Sequence, residues 1–153
     1  MAAPFVSLHG LRLGLASQGN LVSMAQGSEL PLTSPCADCS ITVGAEISNA
    51  RAITIQLKDA TGADINYSEI VDVFVFLDAA GLALATTGGS TGIAIGTDGA
   101  ILNTVVAKKI FLVNSEVDGD IDLSWTDTGT EAAYLGVRLP NGRVVVSSAL
   151  TNA

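Results

Sequence analysis

The sequence predicts an all-β chain: an immunoglobulin-like β-sandwich over residues 49–153, preceded by an extended N-terminal arm with short strands over residues 1–48. Three observations predict it. Apolar and polar residues alternate over short runs, which is the period of a half-buried strand, and no run sustains a helical period. Gly-rich, Asn-Gly and Asp-Gly turn signals bound those runs at short intervals. Hydrophobic residues make up 48% of the chain but aromatics only 5%, so the core must be built from Val, Ile and Leu, whose branched side chains pack well on a pleated face.

In the arm, apolar residues come in bursts at Phe5–Leu8, Leu11–Leu15 and Leu21–Met24, punctuated by Gly10, Gly14, Gly19, Gly27, Pro31 and Pro35. None is long enough to nucleate an isolated helix. A segment this rich in Leu, Val and Phe, with no core of its own, is expected to be ordered by a neighbouring subunit. Its expected interface residues are Phe5, Val6, Leu8, Leu11, Leu13, Leu15, Leu21 and Val22.

From residue 51 the pattern sharpens. Ile53, Ile55 and Leu57 alternate with Thr54, Gln56 and Lys58. Val71–Leu77 is apolar and branched, as a central strand should be, and Leu82–Ala85 is a candidate to pair again. Ile93–Ile95, Ile101–Val106, Lys109–Asn114 and Asp120–Thr126 follow as short strands. Tyr134–Leu139 and Arg143–Ser147 flank Pro140-Asn141-Gly142, which reads as a two-residue hairpin turn with both central residues at positive φ. Trp125 and Tyr134 are the expected aromatic core anchors.

Charge narrows the function classes. The net charge is −8, with Arg12 against Glu29, Asp38 and Glu46 in the arm and six basic against twelve acidic residues after it. No basic stripe exists to bind a phosphate backbone, so nucleic acid is not an expected partner. The apolar runs are too short to span a bilayer as helices, and no basic n-region precedes those of residues 1–15; membrane association and a secretory leader are not expected.

Few residues suggest chemistry. Cys36-Ala37-Asp38-Cys39 has the spacing of half a zinc site or a redox pair, with His9 the lone histidine available as a further ligand. Pro35 and the flanking serines instead suggest a loop, in which the cysteines form a structural turn or a local disulfide. Glu116–Asp122 gathers four carboxylates, a calcium-loop composition. Asp118-Gly119 is also a turn signal, and Asp120 and Asp122 alternate with Ile121 and Leu123 as on the wet face of a strand; the turn is favoured. Gly88–Gly92 is glycine-rich but lacks the lysine and helix of a phosphate loop. Lys108-Lys109 reads as a charged strand edge. No cofactor, resident metal or catalytic residue is expected, and the chain is not expected to be an enzyme.

Two stretches carry a resemblance. Leu11-Arg12-Leu13-Gly14-Leu15, with Gly19-Asn20-Leu21-Val22 and Gly27-Ser28-Glu29-Leu30, resembles the N-terminal segment of small proteins encoded near major capsid genes in tailed bacteriophages. Ile53–Gly62, Gly119–Ser124 and Tyr134–Ser148 are similar to strands of the immunoglobulin-like domains in those proteins. The resemblance implies a virion structural protein of the head-decoration, or capsid cement, kind. Such a protein is made in the host cytoplasm, sits as a homotrimer on the outer capsid surface, and bridges subunits of the major capsid protein. The family has no catalytic residues to carry over, and the Cys36–Cys39 pair departs from its pattern. Two other readings remain: a tail, fibre or head-spike component, and a carbohydrate-binding module. The first lacks the repetitive shaft usual in fibres, and the second lacks aromatic platforms, with one Trp and two Tyr.

Overall fold

The computed structural model describes residues 34–152 throughout, together with the backbone of four strands before them. Contacts divide the chain into two units, Met1–Ser34 and Pro35–Ala153. In the first unit, β1 (Phe5–Leu8), β2 (Leu11–Leu15), β3 (Leu21–Ser23) and β4 (Ser28–Leu30) form an antiparallel sheet in sequence order. Phe5 faces Gly14, Leu15 faces Leu21, and Leu21 faces Leu30. The apolar bursts therefore pair with one another as a four-stranded meander, where the sequence suggests an extended arm with one or two short strands or hairpins.

The second unit is an all-β sandwich of two antiparallel sheets. One sheet holds β5 (Cys36–Ile47), β6 (Ala50–Asp59), β11 (Asp120–Thr126) and β8 (Gly92–Ile95), in that order. The other runs β13 (Val144–Ala149), β12 (Tyr134–Arg138), β7 (Ile70–Phe76), β10 (Ile110–Asn114), β9 (Ala100–Val106). The expected alternation is what fills the core. Ile53, Ile55 and Leu57 of β6 and Ile121, Leu123 and Trp125 of β11 are buried, as are Val71, Val73 and Val75 of β7 and Leu135 and Val137 of β12. Each such side chain contributes roughly 1.5–3 kcal/mol by leaving water.

The unit boundary differs from the one at residue 48. Ser48 and Asn49 both take positive φ, at 54° and 63°, and Ile47 pairs with Ala50. Residue 48 is thus the tip of a two-residue hairpin turn inside the sandwich, and β5 is its first strand. Arg143 closes an ion pair at 2.9 Å on Asp38 of β5, and the Asn141 amide donates to the Ala37 carbonyl at 3.0 Å. These contacts join the end of β5 to the β12–β13 turn.

That turn is also not the one expected. Asn141 does not take positive φ; Gly142 does, at 84°. The Gly142 N–H donates to the Leu139 carbonyl at 2.8 Å, and the Leu139 N–H to the Arg143 carbonyl at 2.9 Å. Pro140 fixes its own φ near −65° and suits the first central position of a type I turn, so the glycine becomes the left-handed residue that follows. Leu82–Ala85 makes only a single bridge, Phe76 to Leu84. Trp125 is fully buried as expected, whereas Tyr134 is half-buried and paired with Phe76 on the opposite side of β12 from buried Leu135.

Candidate functional site

The two cysteines lie on strand β5 rather than in a loop, and both are free and buried. A register shift between Cys36 and Asp38 breaks the period of two, so residues three apart both turn inward. The Cys36 N–H donates to the Tyr67 hydroxyl at 2.7 Å. Burial, with the Asp38 charge beside it, pushes the Cys39 thiol up to about 12; burial, then Glu69, raises Cys36 as well. A buried protonated thiol is a poor nucleophile and a poor ligand, so the pair behaves as small core hydrophobes. His9, and the side chains of Phe5, Val6, Leu8, Leu11, Leu13, Leu15, Leu21 and Val22, lie outside the described residues; the strands β1, β2 and β3 carry those eight.

The acidic stretch resolves into a turn and a strand. Gly119 takes φ 83°, and its N–H donates to the Glu116 carbonyl at 3.1 Å. Asp120 and Asp122 then point away from the core on β11, alternating with buried Ile121 and Leu123. What the spacing missed is Asp98, from the loop between β8 and β9. Asp98, Asp120 and Asp122 bring one carboxylate oxygen each within 4.8 Å of one another. Loss of hydration, then Asp122, Glu116 and Asp118, raises the Asp98 carboxyl above its ordinary value. Asp120 is raised too, by loss of hydration and by Asp122 and Asp98, against the Ile121 N–H which lowers it.

The glycine-rich loop does hold an anion, but one of its own chain. The Glu131 carboxylate accepts from the N–H groups of Thr87, Gly88 and Gly89 at 2.7, 3.1 and 3.0 Å, and from the Thr87 hydroxyl. Burial works to raise this carboxyl, but the hydroxyl and N–H groups of Thr87 and the Gly89 N–H outweigh it and hold it near 2. Lys108 and Lys109, read as a charged strand edge, sit instead at the β9–β10 turn, with Lys108 at φ 64°. Their ammonium groups donate to Gly89, Ser90 and Thr86 carbonyls and staple the same loop.

A folded value below the unfolded one adds stability above about pH 4.5, and that stability is lost as pH falls toward 2. Glu131→Gln is expected to lose about 2 kcal/mol at pH 7, because one amide cannot accept all four donors. Melting curves of the two proteins should converge by pH 2; a constant gap across that window would show that charge plays no part.

The outer face of the five-stranded sheet is the unusual surface. Cross-strand register lines up Val146, Gly136, Phe74, Ile110 and Val106, one from each strand, in a row without a polar side chain. Phe74 and Phe76 stack at 5.5 Å with their planes 9° apart. Gly136 is required here: a Cβ on it would come within 2.2 Å of the Phe76 ring. The next row holds the one ion pair of this face, Arg138 to Asp72 at 2.6 Å, with the Arg138 guanidinium 5.9 Å from the Phe74 ring centre. The outer face of the other sheet is wet: Thr42, Thr54 and Asp122 share one row, and Ser40, Gln56 and Asp120 another. Comparison with known protein families, curated proteins and solved structures found no match. The reading of this surface therefore rests on its chemistry alone.

Proposed function

We propose that this protein is a non-catalytic virion component of the capsid-cement kind, an immunoglobulin-like domain that binds the outer surface of a tailed-phage head as a homotrimer and bridges major capsid subunits. The observation that carries the reading is the division of labour within the chain. The sandwich fills its own core, while β1 to β4 form a separate sheet of strands three to five residues long. One layer of such short strands cannot bury an apolar face by itself, and a second surface must supply the other layer. A capsid subunit is that surface in this reading, and the ordering cost of the segment is met on assembly.

The topology supports the immunoglobulin-like part. In space the order β5-β6-β11-β8 matches the A-B-E-D sheet of a constant-type domain, and β7, β12 and β13 match its C, F and G strands; β9 and β10 lie beside C but come in the chain between the D and E equivalents, a departure from that pattern. The buried, protonated thiols support a non-catalytic role, since they remove the cysteine pair from nucleophilic chemistry.

The test is attachment. Heads assembled without this protein should lose their DNA at lower temperature than decorated heads, and adding the purified protein back should restore the difference. A chain lacking residues 1–34 should fail to bind such heads. Recovery of the protein on purified tails alone, or full occupancy by the shortened chain, would overturn the reading.

A further inference from the structure

We propose that Asn141 is a deamidation site, and that its conversion to aspartate or isoaspartate unfastens the start of β5 from the β12–β13 turn and uncovers the buried cysteine pair. The inference goes beyond the cement reading and does not depend on it.

The chemistry needs an asparagine followed by a residue that leaves the next backbone nitrogen uncrowded. The Gly142 nitrogen attacks the side-chain carbonyl carbon of Asn141, a five-membered succinimide closes, and the side-chain nitrogen leaves as ammonia. Water then adds to one of the two imide carbonyls and opens the ring. The product is aspartate or, with the backbone rerouted through the side chain, isoaspartate. Asn141 is the only asparagine of the chain that precedes glycine. Residues 140–144 are all exposed, so water reaches the turn, and nothing lies within 4 Å of where a Gly142 Cβ would stand. Two hydrogen bonds hold the pair back: the Gly142 N–H donates to the Leu139 carbonyl at 2.8 Å, and the Arg143 N–H to Asn141 Oδ1 at 2.9 Å. Both lie within the turn, and fraying of a loop tip releases them far more cheaply than global unfolding. Asn114, followed by a serine, is the contrasting case. Ser115 is buried, and its N–H is fixed on the Glu69 carbonyl at 2.9 Å.

What the Asn141 amide holds gives the reaction its consequence. Cys36 pairs with Asp59 and Asp38 with Lys58, which leaves Ala37 as the extra residue of the bulge, with no partner opposite it on β6. Asn141 Nδ2 donates to the Ala37 carbonyl at 3.0 Å, beside the Arg143–Asp38 ion pair. Deamidation exchanges that donor for a carboxylate. The Ala37 carbonyl then faces a negative acceptor, and the new charge competes with Asp38 for Arg143. Isoaspartate also lengthens the backbone of the turn by one carbon, against the bonds between Leu139, Gly142 and Arg143. Once released, the bulge turns Cys36 and Cys39, now 2% and 6% exposed, toward water. The same clasp slows the reaction by holding the Asn141 side chain, so deamidation follows a chance opening and makes it permanent.

The test ages the full-length protein at physiological temperature and mildly alkaline pH, where the backbone nitrogen loses its proton more readily. Trypsin cuts after Arg138 and Arg143, so the peptide 139–143 reports Asn141 alone. It should gain one mass unit and split into aspartate and isoaspartate forms, before any other asparagine of the chain changes. The deamidated fraction carries one more negative charge and is separated by anion exchange. Its two thiols should react with a disulfide reagent about tenfold faster than those of the unmodified fraction, as expected when a local opening loses one hydrogen bond. Asn141→Asp should show the faster thiols without ageing. Asn141→Gln, which would have to close a six-membered ring, should keep its mass and a constant thiol rate throughout. Circular dichroism checks that both variants fold, and the aged wild-type fraction carries the test where one does not. A peptide 139–143 that keeps its mass while another asparagine deamidates, or does so through the whole ageing, overturns the proposal. So does a deamidated fraction whose thiols react as slowly as before. Neither result touches head binding, so the cement reading stands or falls separately.

Discussion

A chain that begins at Pro35 is expected to fold cooperatively, and one that begins at Asn49 is expected not to fold. Fourteen residues separate the two chains, and they contain all of β5. Removing them takes Cys36 and Cys39 out of the core and strips Ile41 and Val43 from its margin. At roughly 1.5–3 kcal/mol for each large apolar side chain, and less for the partly exposed ones, the loss reaches several kcal/mol. The pairing of β5 with β6 goes as well, from Cys36 opposite Asp59 to Ile47 opposite Ala50. That leaves the length of β6 as an open edge beside the core residues Ile53, Ile55 and Leu57. Native domains have only about 5–15 kcal/mol in hand, so the combined effect exceeds what the sandwich can spare. Urea melts followed by circular dichroism decide it. A sigmoidal transition of similar midpoint for both chains would mean that β5 adds nothing to the sandwich, and that the boundary at 48 is the physical one.

The reason β5 is hard to read in sequence is visible in its ladder. Period-two alternation is the signal for a strand, and two register shifts, between Cys36 and Asp38 and between Val43 and Glu46, break it. Buried Cys36 and Cys39 stand three apart, a spacing that reads as a metal or redox motif. The strands with unbroken alternation were legible nearly to the residue. Ile121, Leu123 and Trp125 on β11 and Ile53, Ile55 and Leu57 on β6 are apolar in the sequence and buried in the fold. Turns were legible where one residue dictates φ, as at Asp118-Gly119. They were misread where two residues compete, as where Pro140 overrules Asn141.

The candidate surface was illegible for a different reason. Phe74 and Ile110 each look like ordinary strand residues, and alternation alone does not say which face of a sandwich meets the other sheet. The apolar row exists only because β13, β12, β7, β10 and β9 lie side by side, and that order is set by long-range pairing. The Glu131 contact is equally non-local, joining a carboxylate to N–H groups more than forty residues earlier in the chain. Sequence reasoning places the expected interface residues in the arm; the apolar row lies on the sandwich, and the two belong to separate units.

Trp125→Ala should be the most damaging single substitution in the sandwich, at about 3–5 kcal/mol. The indole is completely buried between the sheets, and glycine is needed to admit it: a Cβ on Gly89 would come within 2.8 Å of the ring. Close fit on that side limits how far the loop can collapse into the space an alanine leaves, so the cavity term adds to the lost transfer energy. Trp125→Phe separates two contributions. The indole Nε1 is buried with no hydrogen-bond partner, an arrangement that costs about 1–3 kcal/mol. Phenylalanine removes that donor while giving up part of the ring's volume, so the two effects oppose and the net change should stay within about 1.5 kcal/mol. Chemical denaturation by circular dichroism serves all three proteins, and the fluorescence of this sole tryptophan gives an independent curve for the wild type. If Trp125→Phe proves as damaging as Trp125→Ala, the indole nitrogen is bonded in solution, by a buried water or a shifted carbonyl, and contributes to the stability of the core.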